Sequence, residues 1–179
     1  MALDPAAVPL GHCPRGVGID RRLGAWRAWQ QRQGSCLVVD GGTVLSLTAV
    51  DGAGRFHGGM LLPGLRLQLQ AMADATSLPR LSGLGASLEP IGEGLPAETT
   101  TAMQRGVAAG LIGAISAAAQ QLQSLQGTHQ LVFTGGDGAV LHQLWCNQPD
   151  RPLSEAVLWN DLCLEGLAVL SAEQFCRQS

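Results

Sequence analysis

Residues 37–64 read LVVDGGTVLSLTAVDGAGRFHGGMLLPG, and the rest of the chain is organised around this stretch. Leu37, Val38 and Val39 form a short apolar run that stops at Asp40-Gly41-Gly42-Thr43. A second apolar run, Val44 to Val50, follows at once, and Asp51-Gly52-Ala53-Gly54 then turns the chain into Arg55-Phe56-His57 and the pair Gly58-Gly59. This order predicts strand, tight glycine loop, strand, hairpin turn, strand. A glycine loop leaves backbone N–H groups bare, and a carboxylate beside them suits a phosphate with its counter-cation. The same residues suit equally well a hairpin sheet whose glycines only turn corners.

On the N-terminal side, residues 1–16 are rich in Ala, Pro and Gly without periodicity, which predicts a connecting segment. Gly18-Ile19-Asp20-Arg21 follows, with Asp20 expected to cap a helix running through Leu23 and Trp26 to a stop at Gly34. A helix start favours an anionic ligand through its free N–H groups and its dipole. The alternative is that Asp20 only caps and Arg21 is solvated.

On the C-terminal side, Pro63-Gly64 opens a helix through Leu65, Leu69 and Met72, chosen over a strand because Gln68 to Ala75 holds good helix formers and no β-branched residue. Thr76 to Pro96 is a long connection rich in Gly, Ser, Pro and Leu, of a length often functional or mobile. Thr99, Thr100 and Thr101 then precede a helix marked by Met103, Val107, Leu111 and Ile115, extended by Leu122 and Leu125. Gly106, Gly110 and Gly113 lower its propensity, and the expectation is that they admit another helix at close range. Leu131-Val132-Phe133 predicts a buried strand that ends in Thr134-Gly135-Gly136-Asp137 before a helix through Ala139, Leu141 and Trp145. That arrangement is either a second phosphate loop or an ordinary strand-to-helix turn. Leu158 to Phe175 is expected to close the domain as one helix, with Trp159, Leu162, Leu167 and Leu170 on one face.

Composition narrows the function classes. The 179 residues are enough for one good-sized domain with a real core. Charged residues make up 14%, against the usual quarter or so, and the net charge of −3 without a basic cluster argues against a nucleic-acid surface. Five scattered cysteines with no Cys-x-x-Cys pair imply reduced thiols in a cytoplasmic protein, and neither a disulfide framework nor a zinc site. The least polar run, Gly106 to Ala119, is too short to span a bilayer, and no signal peptide is expected, so the protein is expected to be soluble, with no membrane partner. His12, His57, His129 and His142 show no metal spacing, and neither a Gly-x-Ser-x-Gly elbow, a Walker-type loop nor a Gly-x-Gly-x-x-Gly fingerprint occurs. Two acidic glycine loops, an Asp-Arg at a helix start and a threonine-rich helix start remain, and these are parts that phosphoryl transfer uses.

Taken in order, Gly18-Ile19-Asp20-Arg21, Val39 to Thr43, Gly58-Gly59 with Leu62-Pro63-Gly64-Leu65, Thr99 to Gly106, and Thr134-Gly135-Gly136 resemble the motifs of type III pantothenate kinases. The likeness covers the chain from about Gly16 on. It implies an α/β, ribonuclease-H-like domain of the acetate and sugar kinase, actin and heat-shock chaperone superfamily, with a mixed sheet flanked by helices. It also implies ATP-dependent phosphorylation of pantothenate, the first step of coenzyme A synthesis, in a homodimer. Carried over by position, Gly18, Ile19, Asp20 and Arg21 form the pantothenate loop, with Asp20 the general base and Arg21 the complement of the substrate carboxylate or the transferring phosphate. Asp40 resembles the ligand of an activating monovalent cation, K+ or NH4+, and Thr43 an ATP contact. Thr99 matches a substrate-binding threonine, and Gly135 and Gly136 belong to the loop that approaches ATP and its Mg2+.

The departures are also definite. Family members begin with a strand ending in Asp-x-Gly-Asn that holds the ATP phosphates, followed by most of a first domain, and neither precedes Gly18 here. The expectation is therefore a C-terminal part of such a kinase, with residues 1–34 a remnant of the first domain and connecting helix and residues 35–179 the second ribonuclease-H-like domain. The chain has no tyrosine, and Leu95-Pro96-Ala97-Glu98 replaces the usual Gly-Lys type lead-in to Thr99. Two other readings follow from these gaps: a non-catalytic remnant that dimerises and binds pantothenate or regulates a partner, and a kinase of the same superfamily acting on another hydroxylated acid or sugar.

Overall fold

The structure, a computed structural model, describes residues 4–82, 94–149, 151 and 154–178. Five strands make one mixed sheet: β1 (Cys36–Gly41), β2 (Val44–Val50), β3 (Phe56–Pro63), β4 (Gln130–Thr134) and β5 (Glu155–Leu158), in the order β3-β2-β1-β4-β5. The β1–β2 and β2–β3 pairs are antiparallel, whereas β1–β4 and β4–β5 are parallel. The helices are α1 (Ile19–Arg32), α2 (Leu65–Ala75), α3 (Thr99–Gln126), α4 (Gly138–Cys146) and α5 (Leu162–Gln178).

The alternation of side chains along β1 sorts these helices into two layers. Leu37 and Val39 point into a core with Leu45, Leu47, Leu131 and Phe133, covered by residues of α2, α3 and α4. Cys36 and Val38 point the other way, into a core with Val50, Val132, Leu23, Trp26, Leu162 and Leu170 from β2, β4, α1 and α5. Strands covered on both faces need unbroken apolar runs, and Leu37-Val38-Val39 and Leu131-Val132-Phe133 provide them. Each fully buried Leu or Phe contributes roughly 1.5–3 kcal/mol, so these central strands anchor the domain.

The hairpin turn between β2 and β3 is closed by Asp51, whose Oδ1 accepts from the N–H groups of Ala53 and Arg55 at 2.9 Å each and whose Oδ2 accepts from Arg55 Nε at 2.7 Å. Burial alone would raise this carboxyl, but the bonds from Arg55 and Ala53 outweigh it and hold the group below its ordinary value. The helix opened by Pro63-Gly64 and the strand-to-helix turn after Phe133 form as expected.

Several expectations are corrected. Asp20 does not cap α1: Gly18 is the N-cap, no side chain bonds the helix start, and Asp20 lies in the first turn. The stretch Leu158 to Phe175 is not one helix, because Leu158 ends the parallel strand β5 and α5 begins at Leu162. A four-residue strand carries too little periodicity to be distinguished from a helical turn. Within α5, Leu162 and Leu170 are buried while Leu167 is exposed. Helix α3 begins at Thr99 and is capped by the Glu98 side chain. A Cβ built on Gly106, Gly110 or Gly113 would meet nothing within 4 Å, so among the described residues no helix packs at close range against these glycines.

The N-terminal segment is tied to the sheet domain. Residues Pro5–Ala7 form a 3-10 turn capped by Asp4, Gly11 bridges to Arg55, and buried Arg22 donates to the carbonyls of Val17, Pro5 and Pro14. The middle of the Thr76–Pro96 connection, residues 83–93, lies outside the described residues. Among the described residues no helix is long and apolar enough to cross a membrane.

Candidate active site

The two glycine loops meet at the end of the parallel pair β1–β4. Asp40 stands opposite Thr134 in this pair and opposite Ser46 across the antiparallel pair. Gly135 follows at φ +84°, and a side chain there would collide with Asp40 Oδ1 and the Gly41 carbonyl. The Asp137 N–H donates to the Gly41 carbonyl at 2.8 Å, and the Gly138 N–H to the Gly135 carbonyl at 3.0 Å. Gly41, Gly42, Thr43 and Gly136 line one hollow of about 240 Å³ beside these loops. The Thr43 carbonyl accepts from the Gly64 N–H at 2.8 Å, which fixes the loop against the start of α2.

A carboxylate pair lies on the α1 and α5 side of the sheet. Strand alternation turns Asp40 to that face together with Val38, and Asp20 projects from the exposed first turn of α1. Burial, and after it the charge of Asp20, pushes the Asp40 carboxyl above its ordinary range. The Cys163 thiol at the start of α5 is raised by burial and then by Asp20 and Asp40, which places all three groups in one site. Thr134 Oγ1 donates to the Asn160 carbonyl at 3.1 Å, joining the end of β4 to the start of α5.

Arg21 turns from Asp20 onto the sheet. Its Nε donates to Thr48 Oγ1 at 3.0 Å, its Nη2 to the Leu47 carbonyl at 3.3 Å, and its guanidinium stacks 5.8 Å from the centroid of Phe56. The missing side chain of Gly59 makes room for this, since a Cβ there would collide with the Leu47 carbonyl and lie 2.8 Å from Arg21 Nη2. Gly18 and Ile19 adjoin Asp20 at the start of the same helix. Thr99 is not with them: it is exposed at the start of α3, whose buried residues pack on the opposite face of the sheet from α1.

Sequence reasoning missed three groups. Arg66 Nη2 bonds Asp137 Oδ1 at 2.8 Å across the hollow, and Gln70 lines it from the next turn of α2. The bond and charge of Asp137 raise the Arg66 guanidinium above its ordinary value. Cys163 is the third. A signal existed for the pair, because Arg66 follows the Pro63-Gly64-Leu65 motif directly and Asp137 follows Thr134-Gly135-Gly136. Among the described residues, no cluster of three or more His, Cys, Asp or Glu side chains could hold a metal ion.

The fold, a mixed five-stranded sheet flanked by helices, is shared with solved structures. A conserved Campylobacter jejuni protein described as a Baf family transcriptional activator superposes with a TM-score of 0.69 at 23% identity, over 95% of this chain and 71% of its own. The activator of 2-hydroxyisocaproyl-CoA dehydratase from Clostridium difficile, solved with bound ADPNP, superposes with a TM-score of 0.50 at 14% identity, over 87% of this chain and 67% of its own. The sequence profile of type III pantothenate kinases matches residues 8–121, and the chain belongs to that family. The type III pantothenate kinase of Synechococcus elongatus is 34% identical over 143 residues, which are 80% of this chain and 56% of that enzyme. The chain spans about half the length of the curated relatives it matches.

Proposed function

We propose that this chain carries the acceptor site and one wall of the nucleotide site of an enzyme that phosphorylates pantothenate to 4'-phosphopantothenate with ATP, the first step of coenzyme A synthesis. The observation that carries this reading is the meeting of Asp20, Asp40 and the two interlocked glycine loops at one end of the sheet. Asp20 is the general base: exposed at a helix start, its carboxylate is free to take the proton of the substrate hydroxyl as the phosphoryl group arrives. Gly18 and Ile19 shape the acceptor pocket around it. Arg21, braced by Thr48 and the Leu47 carbonyl, supplies fixed positive charge for the substrate carboxylate or the transferring phosphate. Thr43, Gly135 and Gly136 contact ATP, which arrives with Mg2+ on its phosphates.

Asp40 fits a monovalent cation. Its carboxylate is half-buried beside a second negative charge, so a hard cation such as K+ or NH4+ relieves both burial and repulsion. When bound, that ion supplies positive charge near the transferring phosphate. Thr99 lies across the sheet from Asp20, and in this reading it reaches substrate from the second subunit of a homodimer, through the uncharged outer face of α3. The five free cysteines agree with work in the cytoplasm.

The test is a pantothenate kinase assay on the protein as it occurs in the cell, with K+, NH4+ or Na+ as the monovalent ion. Activity should require K+ or NH4+, and Asp20→Asn should lower kcat by about 10²–10⁴-fold with the fold intact. A variant as active as the parent removes the base from Asp20. Turnover of a different hydroxylated acid or sugar, with none of pantothenate, removes the substrate assignment.

A further inference from the structure

The hollow beside the glycine loops contains one cationic side chain among its lining residues, Arg66. The chain has no lysine, and its eleven basic residues are all arginines. Other arginines have partners outside the hollow: Arg21 is braced by Thr48 and the Leu47 carbonyl, Arg22 donates to three carbonyls, and Arg55 pairs with Asp51. Arg66 differs from them. Its side chain lines the hollow, is 66% exposed and bonds Asp137 through Nη2, and a guanidinium carries three more N–H donors on Nε and Nη1. Asp137 is equally unusual. It stands at the N-cap of α4, yet its carboxylate makes no capping bond and instead turns to Arg66.

We propose that Arg66 is a nucleotide-binding residue, gripping phosphate oxygens of ATP above Gly41–Thr43 while Asp137 holds its guanidinium in place; this rests on reading the chain as part of an ATP-dependent kinase. Bare glycine N–H groups supply partial positive charge at such a loop, but a polyphosphate also calls for a full one. A guanidinium presents its donors as a planar fork that matches phosphate oxygens, and one already held in position loses less freedom when it binds. The carboxylate that positions it also neutralises it. Asparagine at position 137 keeps an oxygen that can accept from the guanidinium and loses the charge that neutralises it, so Asp137→Asn strengthens the field that ATP meets, whereas removing Arg66 abolishes it. If the pair merely braced the two loops, the two substitutions would act in the same direction.

The experiment is calorimetric titration of ATP, in one buffer containing Mg2+ and K+, into the parent chain and its Arg66→Gln, Arg66→Lys and Asp137→Asn variants, each first checked for a cooperative thermal transition. Arg66→Gln should weaken ATP about tenfold or more, Arg66→Lys should recover part of that loss, and Asp137→Asn should bind as tightly as the parent or more so. Equal ATP affinity in the parent and Arg66→Gln overturns the role of Arg66 and leaves the kinase reading standing. Equal weakening by Arg66→Gln and Asp137→Asn assigns the pair to loop bracing and also overturns it. A parent chain that binds no ATP overturns both readings together.

Discussion

At Asp40 the fold keeps a carboxyl half-buried and near the charge of Asp20, and both disfavour its ionised form. Because the folded state raises this carboxyl, its contribution to stability is complete below the ordinary value of 3.8 and is lost as pH rises through the raised value. Asp40→Asn keeps the shape and removes the charge. In the absence of K+ and NH4+, the variant should melt a few degrees above the parent at pH 7, and the gap should close as the solution is acidified. Adding K+ at pH 7 should raise the parent toward the variant and leave the variant unmoved. Thermal melts across pH and salt read both effects, and a variant less stable than its parent at pH 7 counts against the placement of the charge.

At the scale of elements, the start of α3 is set by one side chain. Glu98 accepts from the N–H of Thr100 at 3.0 Å, from the N–H and hydroxyl of Thr101 at 2.8 Å each, and from the Thr100 hydroxyl. The hydroxyl and amide of Thr100, followed by those of Thr101, hold its carboxyl down at about 2. The cap is thus fully present above the ordinary 4.5 and is lost as pH falls through about 2. Glu98→Ala should speed hydrogen exchange at the Thr100 and Thr101 amides at neutral pH, with the core of α3 still protected; unchanged exchange there would refute the cap. The capping side chain belongs to a glutamate, which is not among the usual N-cap residues, rather than to the threonines that follow it. Elements whose pattern is long were legible: the glycine-punctuated β1–β3 meander, and α3 with Met103, Val107, Leu111 and Ile115 all buried. Strand β5 was not, because Glu155–Leu158 has four residues and owes its pairing to β4 rather than to local preference. The site divides in the same way. Asp40 and Gly135 could be singled out because a loop needs glycine and a cation needs a carboxylate. That they touch, and that Arg66 reaches Asp137, depends on contacts between distant segments that no local pattern encodes.

At the scale of the whole molecule, two faces of the sheet carry two halves of the proposed substrate site. The outer face of α3 shows Ala102, Gly106, Ala109, Gly110, Gly113 and Ala117 to solvent, an uncharged stripe bordered by the half-exposed Arg105. A homodimer joined there predicts that Gly110→Arg gives a monomer by sedimentation while the melting of the isolated subunit is unchanged. A dimer that survives the substitution places the interface elsewhere. The sheet order has a further consequence. Strands β1, β2 and β3 are neighbours in sequence and can pair through short turns, but β1 meets β4 only by joining Cys36 to Gln130 across the length of α2 and α3. Closing so long a loop is slow compared with forming a hairpin. A chain that has folded its meander alone therefore has Asp40 but no Thr134 or Gly135 beside it, so the chemistry of the cleft belongs to the last contacts made rather than the first.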